Sequence, residues 1–347
     1  MKKLPRNSHL NRKLVALAVV SCFAAGAAFA NPTAPTVVNG SASILQSGNL
    51  LQVTNSPNAI INWGSFSIGA SEITRFIQQS QASAVLNRVV GQNPSSILGA
   101  LQSNGRVFLI NPNGILFGAG AQIDVAGLVA STLDLSNADF LAGRLRFTEI
   151  AGAGGIVNQG NITTQQGGSV YLVAPDITNS GVITSPKGEV VLAAGKSVEL
   201  VNPGTPNLRV EITAPDNEAR NLGQIVADSG RIGIYAGLIN HSGTIRADSA
   251  VVGENGQILL KATKNITLDT NSVTTANGPS GGGIAIQADT GIASVSGMVE
   301  ARGAEGAGGA IAVNGDVVVN TARLNAGGAT GGSVAVGARN YLGSGTI

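Results

Sequence analysis

Cysteine is all but missing from this chain: one occurs in 347 residues, Cys22, and histidine occurs twice. Cys22 and His9 both lie in the first thirty residues, so everything after them holds His241 alone. That excludes a thiol nucleophile, a disulfide framework and any multi-histidine metal site from the rest of the chain. His241 occupies a place where related segments carry asparagine, which marks it as a turn residue rather than a base. Aromatic residues make up 3% and thin out along the chain, leaving Tyr171, Tyr235 and Tyr341 beyond residue 150. No G-x-x-x-x-G-K-[ST] loop is present, and Gly281-Gly282-Gly283 lacks the strand-to-helix setting that a phosphate loop needs. Gly308-Gly309 and Gly331-Gly332 lack the spaced aspartates of calcium-binding nonapeptides. No cofactor is expected.

The start of the chain reads as an export signal. Lys2, Lys3, Arg6, Arg12 and Lys13 precede the apolar run Leu14–Phe23, and Ala28-Phe29-Ala30 supplies a small-x-small cleavage site before Asn31. The run is too short for a bilayer anchor. Val19-Val20-Ser21-Cys22 has the look of a lipid-attachment box, but the complete cleavage site downstream favours a signal peptide over residues 1–30. Five of the 21 basic residues leave with it, so 16 remain against 19 acids and the formal charge moves from +2 to −3. Nucleic acid is therefore not an expected partner.

Glycine is abundant, at 48 residues, and from about residue 105 it recurs with a period. Strands of the form apolar-x-apolar-x-Ala run as Val170/Leu172/Ala174, Val190/Leu192/Ala194, Val210/Ile212/Ala214, Ile232/Ile234/Ala236, Ile258/Leu260/Ala262, Ile284/Ile286/Ala288 and Val334/Val336/Ala338. Ile311/Val313 is a shorter copy. A glycine stands two residues before each first apolar position, except that Leu208 precedes Val210. A second signature, N-x-G-x-I, runs between them at Asn158, Asn179 and Asn221, with His241 continuing the series. Short alternating strands and glycine corners repeating every 20 to 27 residues predict an all-β fold, a right-handed parallel β-helix with one rung per repeat. The recurring asparagines are expected to stack their amides along its axis. Residues 31–62 are expected to cap the open amino-terminal end, because a first rung exposes unpaired edges. Asn202–Asn221, with Pro203, Pro206, Pro215 and the charged run from Asp216 to Arg220, is expected to leave the helix as a loop.

One corner stands out, Asn111-Pro112-Asn113-Gly114-Ile115, at the end of the alternating strand Val107-x-Leu109. Two amides, a proline and a glycine together make a stiff, sharply bent turn. Around it lie N-R-V-V-G at Asn87–Gly91, P-S-S-I-L-G at Pro94–Gly99, and G-L-V-A-S-T-L at Gly127–Leu133. This series resembles the secretion domain of two-partner secretion exoproteins, the filamentous haemagglutinin family, and is especially similar to the high-molecular-weight adhesins within it. The segment Ile212–Ala219 is similar to the same adhesins. The resemblance implies a secretion domain over residues 31–275, with residues 276–347 beginning a fibre region. It also implies an outer-membrane β-barrel transporter with periplasmic recognition domains as partner, and secretion or surface display by a Gram-negative bacterium through the periplasm. Asn111, Pro112, Asn113, Gly114 and Ile115 are then the expected transporter-recognition segment or folding nucleus. The family's second asparagine motif, N-P-N-L, is absent, with Asn93-Pro94-Ser95-Ser96 standing nearest to it. An adhesin with a host-cell or surface receptor is the expected cargo. The rivals are the export domain of a cytolysin or contact-dependent toxin, and a polysaccharide-active β-helix enzyme, for which Asp228, Asp248 and Asp269 are the candidate acidic stripe.

Overall fold

The computed structural model describes residues 31–205 and 208–346, so the expected signal peptide with Ala28 and Ala30 lies outside the described residues. Strands stack in three parallel columns, one strand of each per rung. The first column runs through Leu128↔Val170, Val170↔Val190, Ile232↔Ile258, Ile258↔Ile284 and Ile311↔Val334. The second runs through Ile115↔Ile156, Ile156↔Ile177 and Ile177↔Ala219. The third runs through Ile123↔Ile162, Ile162↔Ile183 and Ile183↔Ile225. This is a parallel β-helix. Side chains on the inward face of every column form one core from Leu51 to Ala326, and alanines fill it where the first column narrows toward its corner, as at Ala174, Ala194 and Ala236.

The first rung already begins with Leu50–Asn55 and Ala59–Trp63, which pair in parallel with Ile73–Ile77 and Ala84–Val89. The cap is therefore shorter than residues 31–62. Ala42–Ser47 lies antiparallel on Leu50–Asn55, and Thr36–Asn39 antiparallel on Ala59–Trp63, closing the edge that the first rung would otherwise expose. Asn31 is buried in this cap. Its Nδ2 donates to the Asn49 carbonyl and its Oδ1 accepts from the Thr74 hydroxyl.

The outward face of the first column is apolar as well. Leu86, Phe108, Val129, Tyr171 and Val191 project from it into a second core, covered by an antiparallel extra-helical sheet of Asp134–Leu135, Leu145–Thr148, Ser197–Val201 and Arg209–Thr213. A five-residue helix, Asn137–Leu141, is capped by the Ser136 hydroxyl and sets Phe140 edge-on against Phe108 at 5.1 Å. Buried apolar side chains such as Phe147, Val198 and Leu200 contribute about 1.5–3 kcal/mol each to holding the sheet down.

This sheet overturns one expected rung. Val210/Ile212/Ala214 is not in the helix: Val210 pairs antiparallel with Leu200 and Ile212 with Val198, while the helix passes from Val190 straight to Ile232. The physical reason is the residue ahead of it. A Cβ on Gly188 would meet the Gly168 carbonyl oxygen at 2.1 Å, and one on Gly230 would meet that of Gly188 at 2.3 Å. Leu208, in the equivalent place, cannot enter such a stack. The expected loop also ends early, because Glu218–Asn221 is a regular strand of the second column.

One polar knot ties the two layers. Glu189 is buried, and its carboxylate accepts from the Tyr171 hydroxyl at 2.6 Å, the Arg231 guanidinium at 2.7 Å and the Gly204 amide at 3.0 Å. Burial, and secondarily the Glu189 charge, push the Tyr171 phenol far above its ordinary range and the Tyr235 phenol up to about 12.

Candidate functional site

The strand Ala100–Ile110 ends at Asn111, whose backbone N–H continues the ladder onto the Ser131 carbonyl at 2.9 Å. Asn111 thus stands where later rungs carry alanine, as its sequence register implies. Its side chain is completely buried and every polar atom is used. Nδ2 donates to the Asn93 carbonyl at 3.0 Å and to the Ser95 hydroxyl at 2.9 Å. Oδ1 accepts from the Asn113 backbone at 3.0 Å and from Asn113 Nδ2 at 3.0 Å. Asn113 Nδ2 also donates to the Gly91 carbonyl at 2.9 Å. Gly114 takes φ 115°, a conformation that a side chain would oppose, and its carbonyl accepts from the Ser95 N–H at 3.0 Å. Ile115 turns inward into the core, while Pro112 and Asn113 remain half-buried.

The other quoted motifs meet here. Gly91 lies so close to the rung below that a Cβ would stand 2.0 Å from the Gly64 carbonyl oxygen. Asn87, not singled out by itself in the sequence, is buried and accepts from the Trp63 indole at 2.9 Å while donating to the Phe108 carbonyl at 3.2 Å. Arg88 reaches the other way, donating to Asn137 Oδ1 at 2.6 Å and to the Leu135 carbonyl, and so fastens the extra-helical sheet. Asn93 and Ser95 belong to the stretch that departs from N-P-N-L, yet both receive the Asn111 amide. Three of the four stretches that carry the resemblance thus share one hydrogen-bonded corner around Asn111, and the fourth, Gly127–Leu133, is the adjoining rung.

The later asparagines form a different device. Asn158 Nδ2 donates to Asn179 Oδ1 at 2.7 Å, and Asn179 Nδ2 to Asn221 Oδ1 at 2.8 Å. Asn221 Nδ2 then reaches His241 Nδ1 at 3.2 Å, a contact that requires the neutral imidazole to accept. Burial lowers the His241 pKa to about 4, against weaker opposition from the Asn221 and Val273 carbonyls and the Asp269 charge. The ladder expected from N-x-G-x-I is present, with His241 as its last member.

The acidic stripe is not. Asp228 and Asp248 follow the third column one rung apart, Asp228 paired with Arg246 at 3.0 Å and Asp248 accepting from the Asn277 N–H at 2.7 Å. Asp269 follows Leu268 in the second column, at another corner. A repeat of about 20 residues therefore does not bring these three carboxylates together. Among the described residues no group of three or more His, Cys, Asp or Glu is placed to hold a metal ion.

A capped parallel β-helix with a sheet packed on its outer face and an amide-locked corner in an early rung defines a class, the β-helical secretion domains of exported bacterial proteins. The model of the TPS secretion domain matches residues 28–275, and the chain belongs to that family. In structure it is similar to the HMW1 secretion domain from Haemophilus influenzae, with 32% identity and a TM-score of 0.79, over 90% of this chain and 100% of that one. In sequence it is similar to a heme/hemopexin-binding protein of Haemophilus influenzae (strain KW20/Rd), 34% identical over 174 residues, which are 47% of this chain and 19% of that protein. A second heme/hemopexin-binding protein of Haemophilus influenzae is 43% identical over 93 residues, 27% of this chain and 10% of that protein. The chain thus covers a fifth or less of the length of these curated relatives. It carries the secretion domain of a two-partner secretion exoprotein, a class carried across the outer membrane by a dedicated transporter.

Proposed function

We propose that this chain is the export module of an adhesin-like surface protein, and that the corner Asn111–Ile115 forms the folding nucleus from which the rungs are added. The observation that carries this reading is the burial of Asn111. Its single amide group joins Asn93, Ser95 and Asn113 in a closed set, so one corner specifies how two successive turns of chain meet. A solenoid adds rungs on a template, and the first one bears the entropic cost of closing loops without neighbours. A corner whose bonds are local, within about 20 residues, lowers that cost.

Because Asn111, Gly114 and Ile115 are buried once folded, the transporter's periplasmic domains would meet these side chains while the chain is still extended. Folding outside the cell would then draw the chain outward, since each rung completed there stabilises the exported side. The adhesin cargo is supported by the likeness to the HMW1 domain, and its receptor on a host cell or other surface would be engaged by parts beyond this module. The test is secretion with the transporter present. Asn111→Ala and Asn113→Ala are expected to accumulate in the periplasm, with release into the medium reduced at least tenfold. Release of Asn111→Ala at the wild-type rate would reduce the motif to an ordinary turn.

A further inference from the structure

The extra-helical sheet follows the helix along its axis. Its first strand, Asp134–Leu135, is held by Arg88 in an early rung, and the residue after its last strand, Ala214, accepts from the Thr263 hydroxyl of a later rung at 2.7 Å. Arg209–Thr213 pairs with Ser197–Val201 on one side only, so among the described residues its other backbone edge is open. Val210 and Ile212 face the helix but are only half-buried, whereas Val198 and Leu200 on the neighbouring strand are 1% and 3% exposed. The difference marks a missing neighbour.

Next to that edge the outward face of the first column continues without cover. Leu208, Leu259, Ala285 and Ala312 line a shallow groove of about 480 Å³ there, and the Tyr235 ring fills the space over Gly233 at its near end. This floor is the direct continuation of Phe108, Tyr171 and Val191, which the extra-helical sheet buries. A strand added to Arg209–Thr213 would lie about 4.8 Å beyond it and above Leu259 and Ala285. The small residues leave room for its inward side chains.

We infer that this edge and floor are a docking site for one extended strand of another polypeptide, bearing apolar side chains at alternate positions. Unpaired N–H and C=O groups select a peptide backbone and not a sugar or a lipid. The floor selects the alternation, and Arg209 and Glu211 on the solvent side favour outward residues of alternating charge. A second copy of this module does not fit. Its own extra-helical strands are backed by its own helix, which would collide with the rungs after Gln257.

The probe is a fluorescent peptide of residues 195–202, Gly-Lys-Ser-Val-Glu-Leu-Val-Asn, which already pairs with the opposite edge in the folded chain. Anisotropy with the purified protein should show saturable binding. N-methylating the peptide at the Val198 and Leu200 positions, or instead at the Ser197, Glu199 and Val201 positions, blocks one backbone edge each time. One of the two peptides should lose at least tenfold in affinity and the other should keep it. Leu259→Glu and Ala312→Glu should weaken binding at least tenfold, and Leu45→Glu, exposed on the amino-terminal cap, should not. No saturable binding up to about 1 mM, equal binding by both N-methylated peptides, or indifference to Leu259→Glu and Ala312→Glu would each overturn the site.

Discussion

Two sets of asparagines hold corners of the same helix by different means. At Asn111 and Asn113 the amides bond mainly to backbone groups, the carbonyls of Asn93 and Gly91 and the N–H of Asn113. At Asn158, Asn179 and Asn221 they bond chiefly to one another, rung upon rung, although Asn158 Oδ1 also accepts from the Gly160 N–H at 3.2 Å. A backbone partner cannot be removed by substitution, whereas a side-chain partner can. The first arrangement therefore fixes one local shape, and the second is a repeating device that the column does without elsewhere. Its other members include Phe117, Leu268 and Val295, and Asn320, standing alone among apolar neighbours, leaves its Nδ2 without a partner.

The sharpest break between the two is replacement by leucine. Asn111→Leu forfeits four hydrogen bonds and strands backbone groups, costing on the order of 4 kcal/mol. Chemical denaturation should show that loss, and no second substitution should restore it. Asn179→Ala should cost roughly 2–3 kcal/mol, because Asn158 and Asn221 both lose a partner. Replacing Asn158, Asn179 and Asn221 together by leucine should cost no more than Asn179→Ala, apart from the His241 contact, because no side-chain amide is left unpaired and the loss is confined to the Gly160 N–H that Asn158 had accepted. A triple variant weaker than the single one would show that the ladder does more than satisfy itself.

Acid offers a third test. The folded pKa of His241 lies below its unfolded value, so the unfolded chain binds the proton more readily and stability falls as pH drops from 6.5 toward 4. Between pH 7 and pH 5.5 the loss should be about 1 kcal/mol, and His241→Asn, which extends the ladder, should abolish this part of the pH dependence. The smallest effect is expected at the exposed Asp228–Arg246 pair, whose 3.0 Å contact is between half-exposed side chains. Asp228→Asn should change stability by less than about 0.5 kcal/mol. Combined with Asp248→Asn and Asp269→Asn, it should leave secretion unchanged.

The sequence showed the inward face well because the core of a solenoid repeats in register. Val170, Val190, Ile232 and Ile258 stack as their spacing implies, and the N-x-G-x-I series aligned its amides in one column, His241 included. The outward face was harder to read. Tyr171 and Val173, like Val191 and Ala193, are apolar between inward positions, and such unbroken runs mark a strand buried on both sides. The alternating positions alone do not reveal the second core. Val210–Ala214 kept the alternation because its strand also has one apolar face, and only Leu208 showed that it lay outside the stack. Asp269 falls outside the stripe for a related reason, since the spacing of repeats says nothing about which of three corners a residue occupies.

Glu189 also sets an order in time. The strand that carries it precedes the hairpin whose Gly204 amide it accepts, but Arg231, which neutralises it, arrives a full rung after that hairpin. In a chain that folds from its amino-terminal end, the carboxylate would wait in a closing apolar layer without its cation, a state that burial strongly disfavours. The extra-helical sheet therefore seals only when the later rung is in place. In that order Ser197–Val201 and Arg209–Thr213 would settle after Arg231, although they are synthesised before it.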